Sequence, residues 1–278
     1  MFPPRRNWSS RAAALSGSDL LVISVPKSGR TWLRAFLCAY FCKLHGYDFT
    51  LQPERYHDAA IPRIIYSHDL FEHRTKGSVW DWLRGKYLVP ANELRRNTRI
   101  VLLARDPRDT FVSLYLQLTR RDPGTRQRFA DATISELLRD RLFGIGSIVS
   151  TMNEWLREFS GRAGFLLLRY ESVRADPAPH FIEVLNLLEQ RTADMSIFQS
   201  ALAFADFENM QKLEAAGAFD SKILRARDVA DRESFKVRRG KVGGYTDYLR
   251  EDDLEYADRA VAHLDERFGY FAAQPAAI

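Results

Sequence analysis

Four short apolar runs punctuate the chain: LLVISV at 20–25, RIIYSH at 63–68, RIVLLAR at 99–105 and GFLLLRY at 164–170. Each is continuously apolar and does not alternate, the pattern of strands covered on both faces as in a parallel sheet. Between and after them apolar positions recur with helical spacing, which predicts helices over 31–44, 107–120, 133–142, 145–159, 178–190, 200–213 and 252–267. Strand, then helix, then strand is the order of an α/β fold, a three-layer α/β/α domain around a central parallel sheet. No internal repeat, low-complexity tract or linker-like stretch divides the chain. Residues 1–278 therefore read as one domain, with 1–18 a loose N-terminal tail. Ligands of such domains bind beyond the carboxyl ends of the strands, so the residues that follow each apolar run carry the chemical interest.

Composition narrows the picture. A hydrophobic share of 46% and a charged share of 28% describe an ordinary globular protein. No apolar run approaches the ~18–20 residues of a membrane span. The opening MFPPRRNWSSRAAAL lacks the continuous apolar stretch of a secretory signal. The two cysteines, Cys38 and Cys42, share one face of a predicted helix and read as small buried apolar residues. That excludes a disulfide framework and favours a reducing compartment, with the cytoplasm as the expected home. A net charge of +5, rich in arginine, favours phosphate, sulfate or carboxylate partners. An RNP-like aromatic motif, zinc-finger spacing and a long basic arm are all missing, so nucleic acid is not an expected partner.

Three segments carry candidate chemistry. In SVPKSGRTW, 24–32, a strand stops at Pro26 and a helix begins near Thr31. A helix N-terminus presents unpaired N–H groups and a positive dipole end to an anion. Gly29 permits close backbone approach, Lys27 and Arg30 add charge, and Ser28 and Thr31 add hydroxyl donors. A plain strand-to-helix turn capped by serine leaves two cations crowded at a positive helix end without a reason. The loop is not a Walker A motif, because no G-K-[ST] follows, so the metal-holding hydroxyl of that motif is missing. In RIVLLARDPRDTFVSLY, 99–115, Arg105 and Ser113 meet at one oxyanion only if the chain folds back across the strand–helix junction; otherwise Arg105 pairs with Asp106 or Asp109. In SFKVRRGKVGGYTDYL, 234–249, three glycines sit among Lys236, Arg238, Arg239 and Lys241, which reads as a basic loop able to close over an anion or as a solvated surface loop.

Together PKSGRTW, ARDPRDTFVSLY, LRYESVRADP, FENMQKL and RRGKVGGY stand in the order and spacing of the PAPS-dependent sulfotransferases, and the chain resembles their soluble, single-domain type from about residue 20 to 250. PAPS is 3′-phosphoadenosine 5′-phosphosulfate, which leaves as 3′,5′-bisphosphoadenosine (PAP). The resemblance implies that Lys27, Ser28, Gly29, Arg30, Thr31 and Trp32 wrap the 5′-phosphosulfate, with Trp32 also packing on the base. It implies that Arg105 and Ser113, with Arg238, Arg239 and Gly240, grip the 3′-phosphate, and that Tyr170 and Phe207 lie beside the adenine. No metal is implied.

Transfer of a sulfuryl group to a hydroxyl calls for a base. Of His45, His57, His68, His73, His180 and His263, only His68 directly follows a strand-like run, and a near-neutral pKa suits the task. The resemblance agrees, since the family places its catalytic histidine at a similar strand end. Here Tyr66 stands where a lysine is common, which leaves Lys27 to stabilise the leaving group. Asp69 is a candidate to orient His68 or to cap a helix at DLFEHRT, and Glu54 or Glu72 stay open as bases because glycan-modifying members use a glutamate. The expected acceptor is a small molecule, glycan or lipid bearing a hydroxyl, met by segments 45–62, 71–93 and 120–147, with Trp80, Trp82 and Tyr87 as stacking or packing residues. A dimer motif of some members, K-x-x-x-T-V-x-x-x-E, is not found at TDYLREDDLE, which leaves oligomeric state open. A P-loop kinase of a small metabolite and a basic polyanion-binding protein are the alternatives.

Overall fold

The computed structural model describes residues 15, 17–76, 80, 88–89, 94, 96–121, 127–189, 194–217 and 240–271. Its centre is a four-stranded parallel sheet of β1 (Leu20–Ile23), β2 (Ile64–Ser67), β3 (Arg99–Ala104) and β4 (Phe165–Arg169), in the order β2-β1-β3-β4. Leu20 stands opposite Ile64 on one side and Arg99 on the other, and Ile100 pairs with Phe165. All four predicted strands are present; β1 and β3 are shorter at their carboxyl ends, β2 and β4 at both ends.

Continuous apolar strands are explained by what covers them. Successive side chains of a strand point to opposite faces. Leu20, Val22, Val101 and Leu103 join Phe36, Phe181 and Phe198 on one side. Those rings come from α1 (Arg30–Leu44), α7 (Pro177–Leu187) and α8 (Met195–Phe204). Leu21, Ile23, Ile100 and Leu102 join Phe111, Trp155 and Val261 on the other. Their helices are α3 (Pro107–Leu116), α5 (Ile145–Phe159) and α10 (Glu251–Val261). A sheet buried on both sides needs no polar alternation.

The shorter helices are α2 (Asp69–Thr75), α4 (Ile134–Leu138), α6 (Tyr170–Ala175) and α9 (Phe207–Ala215). Several differ from the periodic pattern, each for a local reason. The helix expected over 200–213 is two, because the Asp206 side chain accepts from Glu208 N–H and opens a new helix there. The helix expected over 133–142 starts on a Thr133–Glu136 capping box and stops at Leu138, where the Asp140 side chain takes the N–H groups of Leu142 and Phe143 at 2.8 Å. The expected run 252–267 ends at Val261, and Asp265 caps a separate 3₁₀ turn at Glu266–Phe268. α3 widens into a π-helical segment over Gln117–Arg121. Near the N-terminus Leu15 is buried in the core and Ser18 Oγ donates to its carbonyl at 2.8 Å.

No described helix is long and apolar enough to cross a membrane. Cys38 and Cys42 are both buried thiols, and burial pushes Cys38 up to about 12.

Candidate active site

In the order β2-β1-β3-β4 the chain leaves β1 toward β2 and later returns to the other flank of β1 as β3. The carboxyl ends of β1 and β3 thus diverge at a switch point, where open α/β sheets bind ligands. A cavity of about 320 Å³ lies there.

The loop after β1 forms one wall. Lys27 and Gly29 both adopt left-handed backbone, with φ of 78° and 93°. Gly29, not a serine, is the residue that opens α1, and no side chain caps that helix. Its left-handed turn opens α1 at the cavity, which Arg30, Thr31 and Trp32 line, and no acidic residue sits in that first turn. Lys27, Gly29, Arg30, Thr31 and Trp32 line the cavity, whereas Ser28 is buried behind the loop and is not part of the wall. A Cβ on Gly29 would stand 2.6 Å from Tyr170 Cδ2, so this glycine is required both by its φ and by the ring against it.

The β3 end forms the opposite wall. Arg105 donates from Nη1 to Lys27 O at 3.2 Å and from Nη2 to Lys241 O at 3.3 Å. Its guanidinium lies 4.6 Å from the Tyr170 ring centroid. The plain alternative is half right: Arg105 stands 3.6 Å from Asp109, while Asp106 is taken by Arg108 at 2.7 Å. Ser113, two turns along α3, lines the same cavity. Arg105 Nε is fully buried with no hydrogen-bond partner.

Aromatic residues from three helices line the cavity as well. Trp32 donates Nε1–H to Ala205 O at 2.7 Å, the carbonyl at the break between α8 and α9. It meets Tyr170 edge-on at 6.1 Å. Phe207, the first residue of α9, also lines the cavity, and Gly240 packs so close that a Cβ there would sit 2.6 Å from the Phe207 ring. Arg174 lies over the other part of this contact, 4.9 Å from the Phe207 centroid, and donates to Gly240 O at 3.3 Å. Arg238 and Arg239 lie outside the described residues. From Gly240 onward the glycine-rich segment is not a solvated loop. Asp109, buried in α3, accepts from Gly243 N and Tyr245 N at 2.9 Å each, and Arg108 lies 4.6 Å from the Tyr245 ring centroid. Burial raises the Asp109 carboxyl above its ordinary range. This anchoring role was not legible in the sequence, where Asp109 read only as a partner for Arg105.

His68 sits at the β2 end and lines the cavity. Its Nδ1 is 2.7 Å from Ser24 O. A carbonyl only accepts, so Nδ1 carries the hydrogen and Nε2 is the basic nitrogen. Asp69 is the first residue of α2 and not its cap. It has a positive φ of 34°, and its carboxylate takes the backbone N–H of Val89 and, at 2.8 Å, the indole N–H of Trp155. His68 itself stands at the N-cap position of α2. Asp69 is therefore a buried anchor, 5% exposed, that fixes the segment after the histidine. Asp69→Ala would strand two buried donors, and urea unfolding is expected to show a loss of about 2–5 kcal/mol; a loss under about 1 kcal/mol would show that water or another acceptor replaces the carboxylate.

Of the rival bases, Glu72 lines the cavity and pairs with Lys76 at 2.9 Å, while Glu54 lies on an exposed 3₁₀ turn away from it. The rest of the lining mixes apolar Phe71, Val112, Leu118, Phe143 and Met210 with polar Thr75, Lys76, Gln117, Arg128, Lys241 and Asp247. Gln117 and Leu118 come from the π-helical segment, whose wider turn is a frequent device at functional sites. The segments 71–93 and 120–147 contribute as expected, and 45–62 does not. Trp80 is 67% exposed and away from the cavity; Trp82 and Tyr87 lie outside the described residues. No group of three or more His, Cys, Asp or Glu that could hold a metal occurs among the described residues.

Comparison with known proteins agrees with this geometry. The chain is 24% identical to cytosolic sulfotransferase 17 of Arabidopsis thaliana, over 92% of this chain and 77% of that protein. It is 23% identical to flavonol 3-sulfotransferase of Flaveria bidentis, over 96% and 87%. Among solved structures, a mouse sulfotransferase complexed with PAP matches with a TM-score of 0.53 at 16% identity, covering 94% of this chain and 91% of that one. Retinol dehydratase with androsterone and PAP matches with a TM-score of 0.58 at 16% identity, covering 98% and 88%. The sulfotransferase domain model matches residues 17–269, almost the whole chain, and the protein belongs to the sulfotransferase family.

Proposed function

We propose that the protein moves the sulfuryl group of PAPS to a hydroxyl of a small molecule, with His68 as the general base. The observation that carries this reading is convergence. Lys27, Arg105, Ser113, Phe207 and Gly240, scattered over more than two hundred residues, line one cavity at the switch point of the sheet. The donor set suits a nucleotide with phosphate at both ends: Arg105 Nε is a buried donor with no partner, and a helix N-terminus opens beside Lys27.

In this reading Lys27, Thr31 and the first amides of α1 hold the 5′-phosphosulfate end. Arg105, Ser113 and Gly240, with Arg238 and Arg239, hold the 3′-phosphate. Trp32, Tyr170 and Phe207 take the adenine. His68 Nε2 accepts the acceptor's hydroxyl proton as a new S–O bond forms to that oxygen and the S–O bond to the 5′-phosphate breaks. The electron pair leaves on the phosphate oxygen, where Lys27 and the α1 dipole meet the charge. No metal ion has a part. The apolar wall of Phe71, Val112, Leu118, Phe143 and Met210 suits a flat or aliphatic body that brings its hydroxyl to His68. The names of the relatives point to the same class, a flavonol among them, and one related structure holds androsterone.

Calorimetric titration with PAP and with ATP, both without Mg²⁺, tests the donor half. PAP is expected to bind at least about tenfold more tightly than ATP. No binding of PAP, or an affinity for ATP that appears only with Mg²⁺, would return the kinase reading.

A further inference from the structure

We propose that the acceptor is itself an anion, an apolar body with a hydroxyl and a charged oxyanion, and that Arg128 holds that oxyanion. The inference rests on the PAPS reading above and adds the acceptor's charge to it. Six cations line the cavity: Lys27, Arg30, Lys76, Arg105, Arg128 and Lys241. Three carboxylates line it too, and each stands within ion-pair distance of one of these cations. Glu72 meets Lys76 at 2.9 Å, Asp247 meets Lys241 at 2.8 Å and Asp109 meets Arg105 at 3.6 Å. Lys27 and Arg30 belong to the loop that the donor occupies in this reading. Arg128 is left, outside every ion pair among the described residues.

Its surroundings distinguish it from an ordinary surface arginine, which keeps to water and needs no support. The Arg128 guanidinium lies 5.0 Å from the Phe129 ring centroid and 5.8 Å from that of Phe143. The two rings meet edge-on at 5.2 Å and both are buried, so the platform under the cation is fixed. Contact with rings restrains a guanidinium and leaves N–H groups for a ligand, and its planar fork matches an oxyanion. Phe129 and Phe143 belong to the core on the α3 and α5 face of the sheet, whereas Trp32 of the donor site packs on the opposite face. Phe143 also lines the cavity with Phe71, Val112 and Leu118, the wall given above to the acceptor's body. The spare charge therefore stands on the acceptor's wall. A compound lying there offers its hydroxyl to His68 and its anionic group to Arg128.

Three acceptors built on one ring system separate the charge from the body: 2-naphthol, 6-hydroxy-2-naphthoate and 6-hydroxynaphthalene-2-sulfonate. With saturating PAPS, at least one of the two anions is expected to exceed 2-naphthol in kcat/KM by about 5- to 20-fold, mainly through KM. The better of the two tells whether Arg128 meets a planar or a tetrahedral oxyanion. Arg128→Gln should bring that ratio down to about one to two, and Arg128→Lys should retain part of it. Added salt should shrink the parent's ratio as well, because Arg128 is exposed to solvent. A ratio near one in the parent, or a ratio that Arg128→Gln leaves in place, would overturn the proposal. A fall in PAP affinity in Arg128→Gln would place the residue on the donor and overturn it too. If the unsubstituted protein binds no PAP, the donor reading itself fails and takes the proposal with it. If it binds PAP but favours 2-naphthol or sulfates none of the three, the donor reading stands and the charged acceptor falls.

Discussion

His68→Ala is expected to lower the sulfation of 2-naphthol, used as a probe acceptor with PAPS, by about 10²–10⁴-fold. Affinity for PAP should stay within about twofold. The split follows from where the ring is held. Nδ1–H is committed to the Ser24 carbonyl at 2.7 Å, which pins the imidazole to the end of β1 and presents Nε2 as the base. None of the contacts of Arg105, Tyr170 or Phe207 runs through the histidine. Donor binding thus survives its removal, and proton transfer does not. A parallel Glu72→Gln variant separates the rival base, because that change leaves the His68–Ser24 contact in place. If the glutamine variant loses turnover and the alanine variant keeps it, the base has been misassigned. A fall in PAP affinity in His68→Ala would show instead that the ring supports the loop.

Gly29→Ala should act on the other half of the site. Its φ of 93° is one that L side chains rarely adopt, and the new methyl would stand 2.6 Å from Tyr170 Cδ2. Strain of this kind costs about 1–3 kcal/mol. The loop can relieve it only by moving the first turn of α1 or by displacing Tyr170, and both hold the donor in the proposed mechanism. PAP affinity is therefore expected to fall by roughly tenfold to a hundredfold in calorimetry. A double-mutant cycle tests the cause: Tyr170→Leu, which removes a ring of the donor site, is measured alone and in the Gly29→Ala background. If Gly29→Ala costs less PAP affinity in the leucine background than in the parent, the ring is the obstacle; an equal cost in both makes it the backbone. Unchanged affinity in Gly29→Ala alone would show that the loop tolerates a side chain.

The sheet was legible because its strands are buried on both faces, and LLVIS or RIVLLA has no other economical use. The loop after β1 stood out because Lys27 and Arg30 sit at a positive helix end, where the local sequence disagrees with its own electrostatics. What could not be read were the contacts between distant segments. Nothing near Asp69 in the chain announces that its carboxylate serves Trp155 Nε1, 86 positions on. Nor does the sequence around Asp109 reveal two amides from 243 and 245. Residue type alone does not carry that Ser28, between two residues of left-handed backbone, is buried while its neighbours line the cavity. The split of 200–213 was visible in principle, since aspartate at 206 is a strong helix starter. Periodicity hid it, because both halves keep an apolar face toward the same layer.

The two ends of the cavity are built from different materials. Lys27 and Arg105 follow adjacent strands whose register, Leu20 opposite Arg99, is fixed by backbone ladders. The apolar lining comes from α2, α3, α9, the π-helical segment after α3 and the connection between α4 and α5. Phe71, Val112, Leu118 and Phe143 also belong to the core that packs with Leu21, Ile23, Ile100 and Leu102, so a substitution that reshapes this wall is felt by the strands that carry Lys27 and Arg105. Wall and sheet form one packed body, and a library at those four positions has to conserve side-chain volume.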